Sequence, residues 1–130
     1  MAIQPQTTGV AHLALRVTDL GRSLDFYARV LGFPVAFEIE GLVGVMAGPT
    51  LLALRGPVEQ TSPDDAFSPF RVGLDHVALG CDDPGELARV AQALSEAAVE
   101  NTGVKHDALT GKDYVAFKDP DRISWELYLN

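Results

Sequence analysis

Two of the three histidines in this 130-residue chain stand at equivalent places in a repeat. His12 lies in GVAHLALRVTDLGRSL and His76 in GLDHVALGCDDPGEL. Gly9 and Gly73, His12 and His76, Ala14 and Ala78, Leu15 and Leu79, Asp19 and Asp83, and Gly21 and Gly85 all share one 64-residue offset. A neutral imidazole among apolar residues can ligate a metal, exchange a proton near neutrality, or serve as a hydrogen-bonded packing residue. Its appearance twice at one place points to a shared task. Glu126, in ISWELYL, alternates with apolar residues. A buried carboxylate there is costly unless it finds a partner. The third histidine, His106, sits in the loop-like GVKHDALTG and reads as a surface residue, with a general acid or base as the alternative. Cys81 follows a strand-like run and precedes a helix start, a place that can lower a thiol pKa. No base accompanies it, so it reads as a packing residue.

The elements that must position these residues come twice. Each copy opens with a β-rich run, VAHLALRV or LDHVALGC, and Asp19 or Asp83 then offers an N-cap. Pro84 fits the first helical position, and Glu86 is placed to complete a capping box with Asp83. Leu20, Leu24, Tyr27 and Leu31 form one apolar stripe that Gly32 ends; Leu87, Val90, Leu94 and Ala97 form the other. Three strand-like runs follow each helix. They are FPVAFEIE, LVGVMA and TLLALRG in the first copy. In the second they are VENTGVKH, DYVAFK and, after the turn DPDR, ISWELYL. The expected fold is α+β, two tandem βαβββ modules. An N-terminal arm (1–8) precedes module one (about 9–56), a linker rich in Pro, Asp and Ser (about 57–70) and module two (about 71–130). The whole of 9–130 is read as one domain.

The doubled pattern, with His12 in HLALRV, the helix DLGRSLDFYARVLGF, His76 in DHVALG and Glu126 after DPDRISW, resembles the vicinal oxygen chelate superfamily. That group includes glyoxalase I, extradiol dioxygenases, fosfomycin-inactivating transferases and bleomycin-sequestering proteins. The resemblance covers residues 9–129. It implies curved mixed sheets around a cleft, helices on the outer face, and a divalent metal ion (Fe2+, Mn2+, Ni2+ or Zn2+). It also implies that His12, His76 and Glu126 are the metal ligands, Glu126 being catalytic as well. Ala53, in TLLALRG, stands where glyoxalase I would have a fourth, carboxylate ligand. Ala14 replaces a threonine expected in the fosfomycin branch, and Arg122 replaces the glycine of the family's DPDG turn. Short members pair across chains, so a homodimer is expected.

Two imidazoles and one carboxylate leave about three octahedral positions open. A substrate with neighbouring oxygens fits them, the ion stabilising the enolate, catecholate or alkoxide that develops. Strand alternation places Ala14 and Arg16 beside His12, Ala78 and Gly80 beside His76, Leu51 and Arg55 beside Ala53, and Ser124 and Tyr128 beside Glu126. Arg55, Tyr128 and Ser124 are therefore substrate-binding candidates, Arg55 as a bidentate anion clamp. Trp125 faces the other way, into the core. Composition bounds the partners. A formal charge of −8 disfavours nucleic acid and anionic membrane surfaces. No run approaches the ~20 apolar residues of a membrane span, MAIQPQTTGV lacks a signal-peptide pattern, and the single cysteine forms no internal disulfide. The expectation is a cytoplasmic enzyme acting on a small molecule, a lyase, isomerase or ring-cleaving dioxygenase. The alternative is a metal-free protein that sequesters a hydrophobic or aromatic antibiotic-like compound.

Overall fold

Side chains alternate across a strand, so each half-apolar run needs one covered face and can leave the other open. The computed structural model, which describes residues 1–130, satisfies this twice, in two compact units, Met1–Thr61 and Ser62–Asn130. In the first, strand β1 (His12–Arg16) leads to helix α1 (Leu20–Leu24) and then to strands β2 (Val35–Ile39), β3 (Leu42–Ala47) and β4 (Thr50–Arg55). In the second, β5 (Val77–Cys81) leads to α2 (Pro84–Glu96), β6 (Asn101–Asp107), β7 (Lys112–Lys118) and β8 (Ser124–Leu129). The sheets run β1-β4-β3-β2 and β5-β8-β7-β6, with β1–β4 and β5–β8 parallel and every other pair antiparallel. Both sheets are open, and the fold is the expected α+β. Residues 1–8 form no helix or strand.

Each helix covers one face of its own sheet. α1 packs on β3 and β4, where Val43, Val45, Leu52 and Leu54 are buried, as is Leu15 on β1; α2 packs on β6, β7 and β8 over Val115, Phe117 and Trp125. Trp125, 1% exposed, is a core residue as expected. The helix starts are capped by Asp19, which accepts from Arg22 N at 3.0 Å, and by Asp83, which accepts from Gly85 N at 2.9 Å. The capping box expected at Glu86 is absent. Its carboxylate instead takes the Arg89 guanidinium, with Nε at 2.8 Å, a neighbour on the same exposed face one turn later. Beyond α1 the backbone continues as a π-helical stretch, Asp25–Val30, before Gly32 at φ 74 ends it. Ser23 is fully buried here, and its hydroxyl has no hydrogen-bond partner.

Candidate functional site

The ladder of the second sheet determines which side chains share its open face. Ala78, Glu126 and Ala116 stand side by side, flanked by Gly80, Tyr128 and Tyr114 on one side and by Ser124 and Lys118 on the other. His76 immediately precedes β5, in register with this face. Its Nε2 lies 3.4 Å from Glu126 Oε2, and its Nδ1 lies 2.7 Å from Asp75 Oδ1. If the Nδ1 proton is given to Asp75, Nε2 keeps a bare lone pair pointing at a carboxylate oxygen. Two acceptors in that position repel unless Nε2 carries a proton or a cation lies between them. The spacing also suits one ion about 2.0–2.2 Å from each atom, and a carboxylate on the far ring nitrogen is the usual support of a metal-bound histidine. The residues present therefore fit a divalent metal, although no set of three His, Cys, Asp or Glu side chains is preassembled. His12, on β1 of the first unit, is exposed and makes no hydrogen bond or ion pair.

Two recesses flank Glu126, and His76 lines both. One, of about 590 Å³, is bounded by His106, Asp107, Thr110, Tyr114 and Tyr128. The other, of about 380 Å³, is bounded by Phe70, Thr102, Lys118 and Ser124. Tyr128 lines the larger recess and donates its hydroxyl proton to Thr110 Oγ1. Ser124 lines the smaller one, its Oγ accepting from Lys118 Nζ at 2.6 Å. Arg55 is exposed on the first sheet, beside Ala53.

Two details differ from the expectation, and one residue is added. His106 is not in a loop: it pairs across β6 and β7 with Asp113, Nδ1 to Oδ1 at 2.7 Å, on the wall of the larger recess. With Nδ1 engaged by Asp113, Nε2 is the ring nitrogen left without a partner. The Cys81 thiol is raised, not lowered, in pKa: burial comes first, then Glu86, Asp82 and Asp83 oppose the thiolate. Lys118, which the sequence reading passed over, faces the site. Its signal was its parity with Ala116 in DYVAFKDP, which the DPDR turn aligns with Ser124. Elsewhere on the wall, the Leu109 N–H donates to Asp107 at 2.9 Å and holds that carboxyl below its ordinary pKa, with Thr110 and His106 adding to the effect.

The sequence pattern of one family matches residues 9–127 of this chain. The chain belongs to the Glyoxalase/Bleomycin resistance protein/Dioxygenase superfamily. It is 30% identical over 130 residues to YwkD of Bacillus subtilis (strain 168), covering 92% of this chain and 94% of YwkD. Among solved structures, SMU.1112c superposes with a TM-score of 0.79 at 28% identity, covering 95% of this chain and 99% of that one. The lactoylglutathione lyase of Agrobacterium tumefaciens superposes with a TM-score of 0.76 at 24% identity, covering 97% and 96%, a likeness of fold. Within the superfamily fold, no helix of this chain is long and apolar enough to cross a membrane.

Proposed function

We propose that this protein is a cytoplasmic, divalent-metal-dependent enzyme acting on a small substrate with two neighbouring oxygens, as a lyase, isomerase or ring-cleaving dioxygenase. The observation that carries the proposal is His76 Nε2 facing Glu126 Oε2 at 3.4 Å while Asp75 engages the other ring nitrogen. His76 and Glu126 supply two ligands, and His12, the repeat counterpart of His76, supplies the third. A bound ion contributes Lewis-acid stabilisation of the developing oxyanion. Glu126 takes the proton released beside that oxyanion, Asp75 holds the His76 ring in place, and Tyr128 and Ser124 orient the substrate. Ala78 and Ala116, on either side of Glu126, leave room for it. Arg55 is a further orienting cation on the first sheet.

A homodimer follows from the same reading, His12 of one chain meeting His76 of the other. The edge strands β2 and β6 carry exposed Val35, Ile39 and Val104, which a second chain would cover. Refolding His12→Ala with His76→Ala protein together should regenerate an intact site in the mixed dimer. Sedimentation showing only monomer would end this part of the proposal.

Metal analysis of protein purified without a metal-binding tag tests the main reading. The expected result is bound metal, and a gain in thermal stability with iron(II), manganese, nickel or zinc. His12→Ala, His76→Ala and Glu126→Ala should each lose most of it, whereas His106→Ala should keep it. Equal retention by all four variants, or no metal at all, defeats the proposal. The second outcome would favour the sequestering protein, which the apolar face of the first sheet, with Phe37 and Ile39 exposed on it, also suits.

A further inference from the structure

The smaller recess beside Glu126 contains one uncommitted charge. Of its carboxylates, Asp75 and Glu126 both face His76, and Glu100 pairs with Arg122 at 3.0 Å. Lys118 makes no ion pair. Its half-buried ammonium donates only to Ser124 Oγ, at 2.6 Å. An ammonium carries three N–H donors, so two remain. The Ser124 hydroxyl accepts from Lys118, which leaves its own proton free to donate. Together these groups offer three donors, two of them from the ammonium, against a single remaining lone pair on Ser124, a balance that suits an anion.

Their distance from Glu126 follows from the ladder. Lys118 pairs with Ser124, and the next pair on the same face is Ala116 with Glu126. Two residues of strand separate the pairs by about 7 Å, and the small Ala116 between them leaves the floor clear. Phe70, 95% exposed, stands at the recess wall as an apolar surface for whatever spans the gap.

We infer that Lys118 and Ser124 form an anion subsite, so that the substrate is a short compound with neighbouring oxygens at one end and a carboxylate or comparable anion about 7 Å away at the other. This rests on the proposed role of His76 and Glu126 in holding a metal for the oxygen pair. The recess carboxylates do not oppose it in the metal-loaded protein, because a divalent ion would offset Asp75 and Glu126 and Arg122 pairs with Glu100, which leaves the charge of Lys118 over.

Two probes separate the ends: 2-oxoglutarate and 2-oxopentanoate share an α-keto acid head and differ in a terminal carboxylate against a methyl group. Calorimetry on manganese-loaded wild-type protein should show 2-oxoglutarate binding about tenfold or more tightly, as a charge-assisted hydrogen bond at a half-buried site provides. Lys118→Gln should abolish that preference and leave 2-oxopentanoate within about twofold of its wild-type affinity, and Ser124→Ala should reduce the preference in part. The inference is overturned if wild type shows no preference, if the preference survives Lys118→Gln, or if neither probe binds. Metal-dependent binding of both probes without preference sinks the subsite alone. A Lys118-dependent preference that persists unchanged in metal-free protein sinks the metal reading alone.

Discussion

The central ladders of the two sheets have the same backbone and different chemistry. In the first, Ala14, Ala53 and Gly44 stand side by side; in the second, Ala78, Glu126 and Ala116 do. Both have one parallel and one antiparallel neighbour and a helix behind. On the first, the ring of Phe37 lies so close over Gly44 that a Cβ there would meet it at 2.4 Å, and none of those three residues can bind a cation. On the second, the middle position is a carboxylate facing an imidazole whose other nitrogen is occupied. The duplicated fold supplies two equivalent places, and one side chain decides which of them carries chemistry.

The difference is removed most completely by Glu126→Ala, which gives the second ladder the alanine of the first. Metal affinity should fall by about a hundredfold or more, since loss of a supporting residue alone costs 10–100-fold. Direct titration with manganese measures it. An undiminished affinity would mean that the ion, if bound, is held elsewhere. Stability should change little, because Glu126 is partly exposed and its neighbours are small.

The converse change is Ala53→Glu. It places a carboxylate at the ladder position equivalent to Glu126, where the fourth ligand is missing. Metal binding should tighten by roughly tenfold, the scale of one added charge-assisted contact, with fewer positions left for substrate. Because Ala53 is 8% exposed and pairs with Gly44 beneath Phe37, Phe37→Ala is combined with it to make space. Unchanged affinity in the folded double variant would show that the first sheet's open face does not approach the ion.

The repeat made most of this legible. A single offset placed both helix starts and both first strands, because strand period and cap chemistry are local properties of the sequence, and the matching order of strands then paired Ala53 with Glu126. What was missed depended on pairing partners. His106 read as a loop residue because GVKHDALTG is polar, but the turn at Leu109–Gly111 aligns it with Asp113, and only the ladder shows that. Lys118 attracted no reading for the same reason. Glu86 met the spacing for a capping box and was drawn off by Arg89, an exposed ion pair of similar worth. The π-helical stretch has no sequence signature at all, because Phe26 and Tyr27 suit either helix and tertiary packing makes the choice.

Helix α1, just before that stretch, gives the third contrast. The first unit's helix buries Ser23 with an unpartnered hydroxyl, whereas α2 buries only Leu87 and Leu94. Ser23→Ala removes a desolvated polar atom without leaving a partner unpaired, so stability should rise by about 1–2 kcal/mol. Chemical denaturation would show a higher midpoint with an unchanged slope. A loss of stability would mean that the hydroxyl finds a partner in solution.

The smallest effect concerns the turns that lead into the two ladder strands. The first unit gives its left-handed position to Gly48, at φ +57, whereas the second gives it to Arg122, at φ +69. A side chain in that conformation costs about 1–2 kcal/mol, partly offset here by the exposed pair with Glu100, worth at most about 1 kcal/mol. Replacing Arg122 by glycine alone would mix the two contributions. Comparing Arg122→Gly with Arg122→Ala separates them, since both variants lose the Glu100 pair and only glycine relieves the backbone. The glycine variant should be the more stable by about 1 kcal/mol, less a few tenths for the greater freedom of glycine in the unfolded chain. Equal stability of the two would mean that residue 122 leaves the left-handed region in solution. The turn that aligns Lys118 with Ser124 would then have a different shape, and the anion subsite would lose its geometric basis along with it.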